Sequence, residues 1–136
     1  FYLYVDEFQN FATTSFIKIL SEARKYRLNL TLANQYMAQL DPAVQSAIFG
    51  NVGSLATFIV GNEDAQVLAR EFAPNYDEND LISLDRYQIL TKLAIDGRTS
   101  TPFLAYTLPL PQCRNQRREK VITASQQRFG KRIKGN

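Results

Sequence analysis

Three short apolar runs, each followed at once by polar residues or glycine, constrain the fold more than any other feature. Phe1-Tyr2-Leu3-Tyr4-Val5 stops at Asp6-Glu7, Leu30-Thr31-Leu32-Ala33 stops at Asn34-Gln35, and Leu55–Val60 stops at Gly61. Runs this short that do not alternate with charge suit strands covered on both faces, as in a parallel sheet. Helix signals fill the intervals. Thr13, Thr14 and Ser15 offer N-caps for a helix to about Tyr26, in which Phe16, Ile19, Leu20 and Ala23 recur at helical spacing. Asp41-Pro42 places an N-cap before a proline at the first helical position, predicting a short helix to about Phe49 that Gly50 closes. Asn62 opens a third helix, Glu63 to Phe72, with acids in its first turn and Arg70 near its end, as the helix dipole favours. Pro74-Asn75 ends it.

Beyond that point the pattern changes. Asp77 to Asp80 reads as an acidic surface loop, and Tyr87–Ile95 and Pro102–Leu108 read as strands joined through Asp96-Gly97-Arg98 in a hairpin turn. One further helix is expected around Glu119 to Phe129. Alternating strands and helices followed by a hairpin predict an α/β fold, a parallel sheet flanked by helices with a C-terminal antiparallel hairpin. The expected division is a core over residues 1–110 and a basic tail, helical or disordered, over 111–136. The opening inside an apolar strand, without a methionine, predicts a fragment of a longer protein.

Charge is unevenly spread. Eight of the 16 Lys and Arg residues lie between Cys113 and Asn136, against the single acid Glu119, which leaves eight basic and twelve acidic residues in the rest of the chain. A basic tail suits nucleic acid or an acidic membrane surface, and equally a solvated terminus. The chain has no histidine and a single cysteine, Cys113. That excludes serine–histidine and cysteine–histidine catalysis, histidine-based zinc sites and an intramolecular disulfide framework. No stretch reaches the length of a membrane-spanning helix.

In open α/β sheets the active groups gather at the carboxyl ends of the strands, which is where Asp6-Glu7 and Asn34-Gln35 fall. An apolar strand ending in Asp-Glu is the Walker B pattern of P-loop ATPases. Its logic is a division of labour between adjacent carboxylates. The first can hold the water shell of a nucleotide-bound Mg²⁺, and the second can orient or deprotonate the attacking water. Many strands end in acidic loops for no catalytic reason, so the pair alone leaves the role open. On a parallel sheet the Gln35 amide would stand beside Glu7, able to sense a γ-phosphate or position water. Arg24, eleven residues before Gln35, lies near the end of the intervening helix, away from the edge that bears Glu7. It reads as an exposed base favoured by the helix dipole, or as an arginine that reaches a neighbouring subunit's nucleotide.

The combination of YVDEFQNF, the helix ending ARKYRLN, the strand ending ANQ and the segment IFGNVGSLATFIVGNEDA resembles the C-terminal ATPase core of conjugative, type IV secretion coupling proteins. These belong to the HerA/FtsK-type P-loop motors. The resemblance covers roughly the first 110 residues. It implies a partial RecA-like P-loop NTPase core, a homo-hexamer in the complete protein, and ATP-driven transfer of DNA or nucleoprotein. It further implies ATP and Mg²⁺ as cofactors, DNA and type IV secretion or relaxosome proteins as partners, and a place at the cytoplasmic face of the inner membrane. By motif, Asp6 would be the Mg²⁺ residue acting through water and would also contact nucleotide with Gln35. Glu7 would be the catalytic carboxylate, Gln35 the sensor and Arg24 the trans-acting arginine.

One departure bears on activity. No GxxxxGK[ST] loop occurs, since Gly130-Lys131 is followed by arginine and lies after the acids. That loop supplies most phosphate binding, so this stretch alone is expected to bind ATP poorly and hydrolyse none. The alternative expectation is a non-catalytic α/β module that binds nucleic acid or a partner through its basic tail, and a third is a decayed remnant. Phe8, Phe11 and Phe16 suit core packing better than a base-stacking platform, with Phe8 and Phe11 buttressing the acidic loop. Asn51 and Gly53 precede a strand, which argues against a phosphate cradle. Asp77, Glu78 and Asp80 lack the spacing of a metal loop, and Cys113 has no partner.

Overall fold

The computed structural model describes residues 1–110 and 117–130. Cys113, Arg114, Lys131, Arg132 and Lys134 of the basic tail lie outside them. The first unit is a strand–helix–strand crossover. β1 (Tyr2–Val5) pairs in parallel with β2 (Asn29–Leu32), Tyr2 opposite Asn29 and Val5 opposite Leu32, and α1 (Thr14–Glu22) connects them. α2 (Pro42–Asn51) follows and packs on α1.

Alternation along the strands decides which face is covered. Leu3, Val5, Leu30 and Leu32 are half-buried, while Tyr2, Tyr4, Asn29 and Thr31 are exposed. Of these inner residues, Val5, Leu30 and Leu32 pack with Phe8, Leu20, Leu40, Val44 and Ile48. Both helices therefore lie on one side of the strand pair, and coverage of both faces, as the apolar runs suggest, is not seen among the described residues. On α1, Ile17 rather than Ile19 joins the core, next to Phe16 and Leu20, and Ile19 remains exposed. Asp41 caps α2 as expected, its Oδ1 accepting the Ala43 N–H at 2.8 Å ahead of Pro42 at the first helical position. Gly50 does not close α2 but lies inside it.

The second unit is built differently from the expected single sheet. β3 (Leu55–Thr57) is shorter than its apolar run and pairs antiparallel with β4 (Gln88–Lys92), not in parallel with β1 and β2. β4 pairs antiparallel with β7 (Phe103–Tyr106), giving the order β3-β4-β7. Between them β5 (Ala94–Ile95) and β6 (Arg98–Thr99) form a separate small hairpin tip. Asp96 and Gly97 both have positive φ, 51° and 77°, the geometry whose twist suits a two-residue hairpin loop. The hairpin is thus present but broken at Leu93, whose N–H and C=O turn to Ser100.

α3 (Asn62–Phe72) and α4 (Glu78–Ile82) cover this sheet. Their second core comprises Ala65, Leu68, Phe72, Leu81, Leu84 and Leu90. Met37 packs against both cores and joins the two units. Asp77 to Asp80 is not a loop. Asp77 accepts the N–H groups of Asn79 and Asp80, and Asp80 returns a bond from the Asp77 N–H at 2.9 Å, a reciprocal cap that starts α4. α5 (Arg118–Phe129) forms over the expected residues, and none of its side chains is buried. The molecule is a mixed α/β protein of small sheets, one of them parallel.

Candidate functional site

The carboxyl ends of the two parallel strands are held together beyond the strands themselves. The Ala33 N–H donates to the Val5 carbonyl at 2.9 Å, and the Phe8 N–H donates to the Ala33 carbonyl at 2.8 Å. Phe8 is fully buried, its ring 4.8 Å from that of Phe16. Asp6 and Glu7 are caught between the strand and this anchor. Glu7 adopts φ 49° and ψ 49°, the left-handed conformation, which costs a non-glycine residue about 1 kcal/mol or more. Burial of Phe8 and a bond from the Glu7 N–H to Asp6 Oδ1 at 2.9 Å offset it. The Glu7 backbone, and with it the direction in which the side chain leaves the chain, is thereby held in place.

What the Glu7 side chain meets is the end of β2. Gln35 Nε2 donates to Glu7 Oε1 at 2.8 Å, across 28 residues of sequence. The other carboxylate oxygen, Oε2, accepts from Asn10 Nδ2 at 3.3 Å, and the Asn10 N–H donates to the Glu7 carbonyl at 3.0 Å. All three side chains are exposed. Glu7 and Gln35 thus meet, as the parallel topology requires. Asn10 was not recognised from the sequence. Its signal was its position three residues after Glu7, which a short helical turn converts into contact.

Arg24 lies just beyond α1, exposed, in a run of i→i+3 turns from Glu22 to Arg27. That turn sits at the amino end of the strand pair, where the Phe1 amino group donates to the Arg27 carbonyl. Glu7 and Gln35 stand at the other end, about 13 Å away along a four-residue strand. Within one chain Arg24 is therefore separated from the pair. Asp6 is exposed beside Glu7. No group of three or more metal-binding side chains occurs among the described residues. The exposed Asp6 carboxylate, one oxygen of which already accepts the Glu7 N–H, fits a Mg²⁺ contacted through water and held chiefly by a nucleotide, and not a cation cage made by protein.

A cleft of about 940 Å³ opens beside Gln35, with Asn34, Gln35 and Tyr36 on one wall and Thr57, Phe58 and Asp64 on the other. Asp64 is only 7% exposed, and its Oδ1 accepts the Ala38 N–H at 2.7 Å, tying the segment after Gln35 to the first turn of α3. The sequence places Asp64 as a helix-dipole acid, and this long-range bond has no local signature.

The remaining candidates resolve into structure. Phe16 packs against Phe8, but Phe11 is 59% exposed and buttresses the loop only through its N–H, which closes a turn on the Phe8 carbonyl at 2.8 Å. Asn51 donates to the Ala47 carbonyl at the end of α2, and a Cβ on Gly53 would stand 2.9 Å from the Ala94 side chain, so glycine there serves close packing. No helix among the described residues is long and apolar enough to cross a membrane.

A family match over residues 1–75 supports the C-terminal region of a conjugative coupling protein as the setting of this strand pair and its acid–glutamine contact. The chain belongs to the family described as the TraM recognition site of TraD and TraG, whose model matches residues 1–75. No curated protein matches the chain.

Proposed function

We propose that this chain is the Walker B and sensor half of the ATP-driven motor of a conjugative coupling protein. The observation that carries the reading is the 2.8 Å hydrogen bond between Gln35 and Glu7 at the carboxyl ends of adjacent parallel strands. In a RecA-like P-loop core, ATP with Mg²⁺ supplies the phosphoryl group, and the phosphate-binding loop comes from a part of the protein this sequence does not contain. Asp6 holds water of the metal shell, and Glu7 orients and deprotonates the attacking water. Gln35, with one N–H on Glu7, has a second N–H to offer a phosphate oxygen. Arg24, displaced to the far end of the strands, serves a neighbouring subunit of a hexameric ring rather than its own site. Transport of DNA or nucleoprotein at the cytoplasmic face of the inner membrane follows from this reading.

The family description supports a second role that coexists with the first: recognition of the relaxosome protein TraM. The deciding experiment is ATP turnover and nucleotide binding of Glu7→Gln in the complete coupling protein. Loss of turnover with retained binding is the expected result. Turnover that survives the substitution would remove Glu7 from the mechanism and leave the partner-binding role alone.

A further inference from the structure

We infer that Asn10 is a positioning residue for Glu7, holding the carboxylate in its working orientation from the side opposite Gln35. The inference rests on the hydrolytic reading of Glu7 given above. Its ground is the two-sided grip on the carboxylate, Gln35 on Oε1 at 2.8 Å and Asn10 on Oε2 at 3.3 Å.

The two donors differ in what they are attached to. Gln35 belongs to the end of β2 and lines the cleft, so its amide can turn toward an occupant. Asn10 belongs to the same short helical turn as Glu7, Phe8–Asn10, which Glu7 itself caps. That turn is fixed at both ends, by the buried Phe8 ring and by the N–H groups of Asn10 and Phe11 on the carbonyls of Glu7 and Phe8. Asn10 therefore moves with Glu7, and its contact does not depend on the position of β2. An amide also suits the task better than a charged donor. It orients a carboxylate without forming an ion pair, and the second lone pair on each oxygen stays open to water. The left-handed backbone of Glu7 directs the side chain but leaves its outer torsions free, and the exposed carboxylate has no wall to rest on. A second tether on the remaining oxygen removes that freedom, which is where orientation contributes to rate.

The test is steady-state ATP hydrolysis by the complete coupling protein carrying Asn10→Ala, Asn10→Asp or Glu7→Gln, with kcat and KM separated. Asn10→Ala is expected to lower kcat roughly tenfold or more with KM unchanged. Asn10→Asp, the same size but repelling Glu7, is expected to lower it further, and Asn10→Gln to restore part of the loss. In a Glu7→Gln background, Asn10→Ala is expected to add nothing. If Glu7→Gln abolishes turnover while Asn10→Ala and Asn10→Asp keep kcat within about twofold of the parent, Asn10 has no positioning role, and the reading of Glu7 stands. If KM rises in step with the kcat loss, the role is structural and the inference falls. If Glu7→Gln keeps its turnover, the hydrolytic reading itself is wrong, and the inference goes with it.

Discussion

Gln35 donates to Glu7 at 2.8 Å from the end of the neighbouring strand, although 28 residues separate the two in sequence. The contact exists because β1 and β2 run parallel in register, Val5 opposite Leu32, so the residues just past each strand end emerge side by side. Gln35→Ala in the complete coupling protein is expected to lower ATP turnover by roughly a hundredfold, the scale of a lost contact to a catalytic base. Gln35→Glu, isosteric but facing Glu7 with like charge, is expected to do at least as much harm. Near-normal kcat in both variants would show that the bond serves the fold and not the reaction.

This part of the site was legible because it depends on one local and one topological rule. Apolar runs end where polar residues begin, and strands joined by a crossover helix pair in parallel. The rest depended on contacts with no local signature. Leu55 to Thr57 carries the same apolar character as the first strands, yet its partner is β4, more than thirty residues further on, and composition does not encode that choice. Asp77 and Asp80 were read as a solvated loop because acids are usually exposed. The three-residue spacing that makes them cap each other was available in the sequence. Asp64 is the least legible of all, since burial of a carboxylate against Ala38 is decided only when α3 meets the segment after Gln35.

That bond makes its own prediction. Asp64→Ala leaves the Ala38 N–H without its acceptor in a part-buried position and is expected to cost about 1–3 kcal/mol of stability. Urea unfolding should record it as a lower midpoint at an unchanged slope. Asp64→Asn keeps a carbonyl acceptor and should lose less. Equal losses from both would point to the charge and not to the hydrogen bond.

The second core offers a sharper contrast. Phe72 is fully buried among Leu68, Leu81, Leu84 and Leu90, whereas Tyr4 is 72% exposed on the open face of the strand pair. Phe72→Ala is expected to destabilise the chain by about 3–5 kcal/mol, because the rigid surroundings cannot close the cavity. Tyr4→Ser should stay within about 0.5 kcal/mol. A large loss from Tyr4→Ser would reveal that this face is covered in the folded protein in solution.

Arg24 gives the test of assembly. It stands at the opposite end of the strand pair from Glu7 and Gln35, in an exposed turn, so a contribution to catalysis must be made to another subunit. Arg24→Ala in the complete protein is expected to cut turnover about a thousandfold, as loss of a transition-state arginine does in related chemistry. Glu7→Gln should be inactive on its own account. Mixed in the proposed ring, the two variants are expected to complement each other. An Arg24→Ala subunit still carries Glu7, and a Glu7→Gln neighbour still carries Arg24, so some interfaces regain both groups. ATP hydrolysis that reappears on mixing two inactive proteins, and scales with their co-assembly, establishes that the arginine acts between subunits. If the mixture stays as inactive as its parts while rings form normally, Arg24 is a surface base at the end of α1 and takes no part in the reaction.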